Sequence, residues 1–301
     1  MSRIHEALKK AEQERAMSQP DGRAETVSVV LETLTEAAAV SAGPTAMAGA
    51  APAAGLNSES LLARSRETRW SPDPQTMLFF GSDEHAFGTE EFRTLRSRLY
   101  HVREQKPLSK LLVTSALPKE GKSFTAANLA QVIVRQHGRR ALLIDADLRN
   151  PQLHNLLGAD PGPGLSEYLR GEADESSILQ RGPMENLFLI PAGRVGTNAA
   201  ELLSSGRMKS LLNRLEPMFD WIIIDTPPAV PVSDAAILAK DCDGILLVVR
   251  SNSTPTDAAR RARNEFAGRN LVGVVLNGIT PDQSPYMQYY YLAKSNSELN
   301  N

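Results

Sequence analysis

The sequence predicts an α/β fold in which a mostly parallel β-sheet is flanked by helices, and three observations support this prediction. From about residue 77 onward, short apolar runs alternate with segments of helical character, the pattern of repeated strand–helix units. The runs are almost continuously apolar, as expected for strands that are buried on both faces. A loop containing glycine, lysine and serine joins the first strong run to a helix, an arrangement typical of phosphate-binding turns.

Each predicted element follows from a local pattern. The predicted strands are Leu111–Thr114, Ala141–Ile144, Leu187–Ile190, Trp221–Ile224, Gly244–Val249 and Leu271–Leu276. The predicted helices are Glu90–Tyr100, Ser123–Gln136, Ser166–Leu169, Arg207–Leu215 and Thr256–Phe266. In the first of these helices, Phe92, Leu95 and Leu99 fall on one face, as in an amphipathic helix.

The N-terminal part of the chain has a different character. A short apolar stripe at helical spacing is formed by Ile4, Ala7, Leu8 and Ala11. The stripe predicts an amphipathic helix over residues 1–17, either a frayed terminus or a docking helix that folds on a partner. Residues 18–76 are predicted to be a disordered linker, because small and polar residues dominate much of this segment. The folded core is expected over residues 77–283, followed by a flexible, tyrosine-rich tail over residues 284–301.

Composition narrows the functional classes. The chain has 301 residues, 42% of them hydrophobic, enough for one core domain with additional segments. A net charge of −2 gives no global field of the kind found in nucleic-acid-binding proteins, so no nucleic acid partner is expected. Cys242 is the only cysteine, so no internal disulfide can form, which fits a reducing compartment. Because the sequence contains no long apolar run and no apolar signal-peptide segment, we expect a cytoplasmic protein without a membrane span of its own.

A Walker A pattern, with Ala116 in place of its first glycine, ends at Lys122 and Ser123. Gly121 allows the backbone to turn so that its N–H groups converge on phosphate oxygens, and Lys122 adds a positive charge. The Ser123 hydroxyl is a ligand for Mg²⁺, and the N-terminus of the following helix attracts an anion. The predicted nucleotide-binding residues are Pro118, Lys119, Glu120, Gly121, Lys122, Ser123 and Phe124. This pattern predicts a P-loop NTPase sheet, and the alternative is a glycine turn with a solvated lysine.

Three aspartates follow two other predicted strands. Asp145 and Asp147 come directly after the second strand, and Asp225 ends a Walker B pattern. Because open parallel sheets bind ligands at the carboxyl ends of their strands, these groups are expected to meet Lys122 and Ser123 in one crevice. The constellation suits ATP with Mg²⁺, and the alternative for the first two aspartates is helix capping after the strand.

At these residues the chain resembles the bacterial tyrosine kinases (BY-kinases) of capsule and exopolysaccharide systems, over about residues 87–301. The shared motifs are Pro118–Ser123, Asp145–Arg149 (the Walker A′ motif of that family), Asp225–Pro228, and Leu189–Gly193 with Asn198 and Glu201–Leu203. Residues 1–16 resemble the start of soluble autokinases that pair with a separate chain-length-determinant protein of the membrane. The resemblance implies a tyrosine autokinase that uses ATP and Mg²⁺ and regulates polysaccharide polymerisation and export.

The resemblance also implies roles for single residues. The implied catalytic residues are Lys122, Asp145 and Asp147. The implied metal ligands are Ser123, Asp145 and Asp225. Lys122 would hold the phosphates, and Asp145 or Asp147 would accept the tyrosine proton. Asn277, after the last predicted strand, would approach the adenine.

Two further features of the resemblance concern assembly. Glu90, Arg93 and Arg96 match a Glu-x-x-Arg-x-x-Arg motif that mediates contact between subunits of a ring, and the alternative is a solvated helix face with local ion pairs. The implied partner is a membrane chain-length-determinant protein, a polysaccharide co-polymerase that activates the kinase. The chain would then be peripheral to the inner membrane through that partner alone.

The chain has six tyrosines, and four of them lie in the tail: Tyr286, Tyr289, Tyr290 and Tyr291. The resemblance implies that they are phospho-acceptors, and the alternatives are a packed aromatic cluster or a partner-binding tail. Each phosphate adds about −1.5 to −2 charges, so phosphorylation is expected to release the tail from an acidic site and to dissolve the ring.

Two other functions remain open from the sequence. A partition- or positioning-type P-loop ATPase usually carries a second lysine early in the Walker A loop, where this chain has Leu117. A nucleotide-gated scaffold of the polysaccharide machinery would need nucleotide binding but not catalysis. Transfer of phosphate to tyrosine would separate the kinase from both.

Overall fold

The computed structural model of the chain describes residues 58–74, 76–80, 88–194, 196 and 198–279. The predicted N-terminal helix over residues 1–17 and the tyrosine-rich tail over residues 284–301 lie outside these residues.

One sheet of eight strands organises the described part of the chain. The strands are β1 (Arg66–Glu67), β2 (Lys110–Ser115), β3 (Ala141–Asp145), β4 (Gln180–Arg181), β5 (Leu187–Ile190), β6 (Trp221–Asp225), β7 (Gly244–Arg250) and β8 (Leu271–Asn277). Their order across the sheet is β1-β4-β5-β3-β6-β2-β7-β8, and all neighbours are parallel except β4 and β5. The mostly parallel α/β fold is therefore confirmed.

Helices cover both faces of the sheet. They are α1 (Ser58–Ala63), α2 (Thr89–Gln105), α3 (Lys122–Val134), α4 (Leu153–Leu157), α5 (Leu165–Arg170), α6 (Glu175–Ile178), α7 (Ala199–Leu203), α8 (Gly206–Leu215), α9 (Asp234–Leu238) and α10 (Thr256–Glu265). Within the described ranges, none of these helices combines the length and the apolar character that crossing a bilayer requires.

The central strands are buried on both faces because their successive side chains enter two separate apolar cores. In β6, Ile222 and Ile224 pack into one core, whereas Trp221 and Ile223 pack into the other. All four side chains are fully buried. Helices α2, α3 and α4 contribute to the core of Trp221, and α5, α8 and α9 contribute to the opposite core. Since alternate residues of a strand point to opposite faces, this arrangement explains the continuous apolar runs in the sequence.

The predicted strands are all confirmed, as β2, β3, β5, β6, β7 and β8, and no end shifts by more than one residue. The predicted helices are also present, although α2 ends at Gln105 rather than at the predicted Tyr100. These elements were predictable because each carries its own apolar pattern.

The structure corrects the end of the predicted linker. Helix α1 and strand β1 lie inside residues 18–76, and Trp70 is only 7% exposed. Strand β1 forms without an apolar pattern because backbone hydrogen bonds hold it in the sheet. The N–H groups of Arg66 and Thr68 donate to carbonyls in and beside β4. Gly182 leaves space for the Trp70 ring, since a Cβ atom there would lie 2.3 Å from that ring.

Strands β3, β6 and β2 position the predicted site. They are adjacent and parallel, so their carboxyl ends meet at one edge of the sheet. Asp145 at the end of β3 is the direct register partner of Asp225 at the end of β6. The loop from β2 to α3 emerges beside them, which brings the Walker A lysine and serine to the same edge.

Candidate active site

The loop from β2 to α3 has the backbone geometry of a phosphate-binding turn. Gly121 adopts a left-handed conformation (φ 93°) directly before α3 begins at Lys122. A Cβ atom at position 121 would lie 1.9 Å from Nδ2 of Asn277, so only glycine fits there. That amide nitrogen donates a hydrogen bond of 2.8 Å to the carbonyl of Glu120. Asn277, predicted to approach the adenine, is therefore held against this loop by the end of β8.

The Lys122 ammonium lies among the acidic groups of the site. Its Nζ is 2.7 Å from Oδ2 of Asp147 and 3.6 Å from Oδ2 of Asp225. Nζ also donates to the Ser123 hydroxyl at 3.2 Å, and this hydroxyl donates to Oδ2 of Asp225 at 2.5 Å. The structure thus brings four of the predicted residues into one hydrogen-bonded cluster, as the sequence predicts.

Asp145 lies behind this cluster and is bound by backbone groups. Its Oδ2 accepts hydrogen bonds from the N–H groups of Gln152 at 3.1 Å and Leu153 at 3.0 Å. Its Oδ1 accepts a bond of 3.2 Å from the N–H of Asp147. The alternative reading of Asp145 as a capping residue is therefore correct for its hydrogen bonds, since it satisfies the start of α4, but its side chain also faces Asp225.

The Walker B turn is anchored to strand β2. The Thr226 hydroxyl donates to the carbonyl of Val113 at 3.0 Å, and the Thr114 hydroxyl donates to the carbonyl of Pro227 at 2.8 Å. These two bonds hold the turn that follows Asp225 against β2, the strand that leads into the Walker A loop. The Asp225 side chain is directed at Lys122 and not at this turn.

Desolvation controls the protonation of two carboxyl groups in the site. Burial and the neighbouring Asp225 raise the pKa of Asp145 to about 8. Burial also raises the pKa of Asp225 to about 6, although Lys122 opposes the shift. Burial acts to lower the pKa of Lys122, but Asp225 and Asp147 outweigh this effect and raise that pKa above its usual value. The site thus holds more acidic groups than its single lysine balances, which suits it to a cationic ligand.

The donor set fits a Mg²⁺ ion bound together with a nucleotide. Oδ1 of Asp225 is buried and has no hydrogen-bond partner among the described residues, and Ser123 adds a hydroxyl oxygen. Within the described ranges, no group of three or more acidic, histidine or cysteine side chains is arranged to hold a metal by itself. Mg²⁺ needs only one or two protein groups in such sites, because phosphate oxygens and water complete its shell.

Glu120 is one of the residues predicted to bind nucleotide, and its side chain faces the protein. One of its carboxylate oxygens accepts a bond of 2.9 Å from the N–H of Leu117, and the other accepts a short bond from the Thr254 hydroxyl. Arg250 adds a bond of 3.2 Å to the carbonyl of Lys119. Glu120 is 3% exposed, so its side chain supports the loop from within, and contact of its backbone with nucleotide stays a prediction.

The remaining residues predicted to bind nucleotide lie around the loop. Phe124 packs against Phe92 of α2, with ring centroids 5.8 Å apart, and borders a groove between α2 and β8. Pro118 and Lys119 are exposed at the rim, and Lys119 has a left-handed φ of 65°, which is strained for a residue with a side chain. Their contact with nucleotide stays a prediction.

Helix α2 carries the three residues predicted to contact another subunit. Glu90 and Arg93 form an ion pair on α2, with side chains 33% and 34% exposed. Arg96 instead donates a bond of 2.7 Å to the carbonyl of Val132 in α3. Arg96 therefore fixes α2 to the helix that follows the Walker A loop, and the contact between subunits stays a prediction.

Sequence reasoning missed a link between two of the loops around the site. Asp234, fully buried at the start of α9, accepts two hydrogen bonds from the guanidinium group of Arg149. Arg149 belongs to the Asp145–Arg149 motif, so the motif itself was a signal for this residue. Asp234 lies in no recognisable pattern, and only the tertiary structure identifies it.

Comparisons with known proteins find one matching family profile and related tyrosine-protein kinases. A family profile described as an AAA domain matches residues 120–257. The tyrosine-protein kinase YwqD of Bacillus subtilis is 35% identical over 218 residues, which are 71% of this chain and 91% of that protein. The tyrosine-protein kinase wzc of Salmonella typhimurium is 36% identical over 219 residues, which are 72% of this chain but 30% of that protein. The chain thus spans nearly all of one relative and less than a third of the other.

The fold has a similar match among solved structures. The kinase domain of the Escherichia coli tyrosine kinase ETK has a TM-score of 0.63 and 35% sequence identity. The match covers 67% of this chain and 80% of that chain. Sequence and structure comparisons therefore select the same group of proteins.

Proposed function

We propose that this chain, which belongs to the bacterial tyrosine-protein kinases, phosphorylates the tyrosines of its own C-terminal tail and uses Mg²⁺–ATP as the phosphate donor. As a member of this family the chain is a protein-tyrosine kinase whose fold binds nucleotide. The observation that carries the proposal is the convergence of Lys122, Asp147 and Asp225 next to the Walker A loop, which Asn277 at the end of β8 also contacts.

The residues of the site divide the work of binding. Lys122 supplies positive charge for the transferred phosphate, and the backbone around Gly121 supplies N–H donors. Ser123, Asp225 and Asp145 are the groups proposed to hold Mg²⁺ in place. When bound, Mg²⁺ neutralises negative charge on the phosphates.

Asp147 is the better placed of the two candidates for accepting the tyrosine proton. Both oxygens of Asp145 accept backbone hydrogen bonds. Oδ2 of Asp147 is instead turned toward the Lys122 ammonium, in the part of the site where the phosphate is proposed to lie. We therefore propose that Asp147 accepts the tyrosine proton and that Asp145 helps to position Mg²⁺.

The tail is long enough to bring tyrosines to this site. Tyr286 is nine residues beyond Asn277, and Tyr291 is fourteen residues beyond it. An extended chain covers at most about 3.3–3.6 Å per residue, so these tyrosines lie within roughly 30 to 50 Å of the end of β8. Asn277 itself contacts the Walker A loop, so this reach is counted from a point beside the loop and is sufficient for the same chain or for a neighbour in the proposed ring.

A separate membrane protein is the proposed partner. The resemblance of residues 1–16 to the start of autokinases that pair with a separate membrane protein supports this partner. We propose that this partner is a polysaccharide co-polymerase, that it holds the kinase at the cytoplasmic side of the inner membrane, and that the kinase regulates polymerisation and export. Glu90 and Arg93, partly exposed on α2, are the proposed contacts between subunits of a ring.

Incubation with Mg²⁺ and radiolabelled ATP, followed by phosphopeptide mapping, tests the substrate assignment. Label is expected on Tyr286, Tyr289, Tyr290 and Tyr291. The internal control is Tyr168, which is 5% exposed and should remain unlabelled in folded protein. Release of free phosphate without acid-stable label would favour a positioning-type ATPase, and normal polymer export with a Lys122→Met variant would favour a scaffold.

Mixing two variants distinguishes transfer within a chain from transfer between chains. One variant carries Lys122→Met with an intact tail, and the other carries phenylalanine at the four tail tyrosines with an intact site. Label on the Lys122→Met chain is expected, because the proposed ring presents each tail to a neighbour. If label appeared only in unmixed wild-type protein, at a rate that is first order in protein concentration, transfer would occur within one chain. That result would contradict the ring.

A further inference from the structure

Two loops must hold their acidic groups at a constant separation for the proposed chemistry. The loop after β3 carries Asp147, and the loop after β6 continues from Asp225 to the start of α9. Strand pairing aligns them only as far as the bond of 2.8 Å from the N–H of Ala146 to the carbonyl of Asp225. The loop after β6 then turns toward β2, where Ala229 donates to the carbonyl of Ser115. Backbone bonds therefore do not define the distance between the two loops beyond this point in the described residues.

A bidentate ion pair connects the loops where the backbone bonds end. Nε of Arg149 is 2.7 Å from Oδ2 of Asp234, and Nη2 of Arg149 is 2.9 Å from Oδ1. This fork geometry defines orientation as well as distance. The carboxylate is fully buried, while the arginine side chain is 40% exposed.

The charges of the site give this connection a function. Asp147 and Asp225 are both buried acidic groups, and like charges in a poorly solvated site repel each other strongly. Asp147 is two residues from Arg149, and the N–H of Asn150 donates to its Oδ1 at 2.9 Å. A displacement of Arg149 would therefore move the loop segment that holds the Asp147 carboxylate next to Lys122.

We propose that Arg149 and Asp234 are positioning residues, which hold Asp147 at its working distance from the Walker A lysine during phosphate transfer. The inference rests on the role proposed above for Asp147. Neither residue contacts substrate in this proposal, and neither contributes to the Walker A loop that binds the nucleotide. The pair therefore acts on the rate of transfer and not on nucleotide affinity.

Two conservative variants test the proposal. Arg149→Lys keeps the charge opposite Asp234 but loses the fork, and Asp234→Asn keeps the shape but loses the charge. We expect kcat for tail phosphorylation to fall about tenfold in each, because displacement of a reacting group by about 1 Å costs up to 10²-fold. The KM for ATP and the Kd for ADP with Mg²⁺ should stay within about twofold of wild type, since the Walker A loop is unchanged.

Stability is measured on the same samples to separate positioning from folding. Assays are run at a temperature at which circular dichroism shows every variant to be folded. The matched control is Arg139→Lys, whose partner Asp220 lies at the opposite edge of the sheet, and whose side chain has a similar exposure of 46%. This control should leave kcat unchanged. Wild-type kcat in the folded Arg149→Lys and Asp234→Asn variants would overturn the proposal.

A double-mutant cycle with Asp147→Asn distinguishes this inference from the proposed function. If Arg149 acts through Asp147, Arg149→Lys should cause little further loss in an Asp147→Asn background. Full additivity of the two losses would overturn the positioning role. Wild-type activity of Asp147→Asn alone would instead overturn the role proposed for Asp147.

Discussion

The two edges of the sheet use charged residues in opposite ways. At the amino-terminal edge, the Lys110 ammonium is 2.5 Å from a carboxylate oxygen of Glu216 and 3.4 Å from one of Asp243. The Asp243 carboxylate also accepts hydrogen bonds from the backbone N–H groups of Ser109 and Lys110. At the carboxyl-terminal edge, Asp145 and Asp225 are neighbours in register, and Lys122 is shared among several carboxyl groups. The first edge pairs its charges within the protein, whereas the second keeps an excess of acidic groups.

The pKa values follow this difference. Burial acts to raise the pKa of Asp243, but hydrogen bonds from Lys110 and Ser109 outweigh it and hold the pKa below its usual value. Burial raises the pKa of Asp145 to about 8. The same strands can therefore end in a stabilising ion cluster at one edge and in a destabilised binding site at the other.

The strongest effect should be a contrast between two lysines whose side chains are almost equally exposed. The side chains of Lys122 and Lys110 are 11% and 10% exposed. Lys122→Met should lower tyrosine phosphorylation by about a thousandfold or more, because it removes the positive charge proposed to face the transferred phosphate. Lys110→Met should leave kcat unchanged in folded protein and lower the free energy of unfolding by about 2 kcal/mol, between the values for exposed and fully buried ion pairs. Phosphorylation assays and urea denaturation measure both, and equal loss of activity in the two variants would contradict the division between the edges.

A smaller effect is expected at Glu120, the carboxylate at the active edge whose hydrogen bonds are satisfied within the protein. Glu120→Ala should weaken binding of Mg²⁺–ADP about tenfold, because charge-assisted hydrogen bonds that shape the Walker A loop are lost. Thr254→Val, which removes only one of these bonds, should have a weaker effect in the same direction. Calorimetric titration measures both affinities, and tighter binding by Glu120→Ala would show that repulsion of the phosphates outweighs support of the loop.

The smallest effects are opposite dependences of stability on pH. Because the pKa of Asp145 is raised to about 8, the folded protein keeps a proton there that the unfolded chain releases above about pH 4. Stability therefore falls as pH rises toward 8, and from pH 5 to 8 Asp145→Asn should lose less stability than wild type. The lowered pKa of Asp243 has the opposite sign. Its contribution is present above the unfolded pKa and is lost as pH falls through the folded value, so Asp243→Asn should be less stable than wild type at pH 7 and should approach it as pH falls below the usual aspartate pKa. Urea denaturation across pH measures these slopes, and parallel curves for all three proteins would remove the electrostatic difference between the edges.

Much of the fold and of the site could be predicted from local patterns. The strand ending at Asp225 is a continuous apolar run, and such a run followed by an acidic residue predicts both a buried strand and a group at its carboxyl end. The Walker A loop is similar, because a turn that needs glycine before a helix is encoded within a few residues. Strand β1 was not predictable, since its two polar residues are held by backbone bonds to β4, far away in sequence.

Local sequence patterns were sufficient to predict which chemical groups reach the carboxyl edge of the sheet, because strand direction and turn geometry depend on neighbouring residues. How those groups are paired became visible only in the folded chain. Folding turned Glu120 toward Thr254, directed Arg96 to a carbonyl of α3 and placed Asp234 opposite Arg149. Such choices depend on distances between segments that are remote in the chain, and burial then determines which carboxylates are satisfied within the protein and which remain for a ligand.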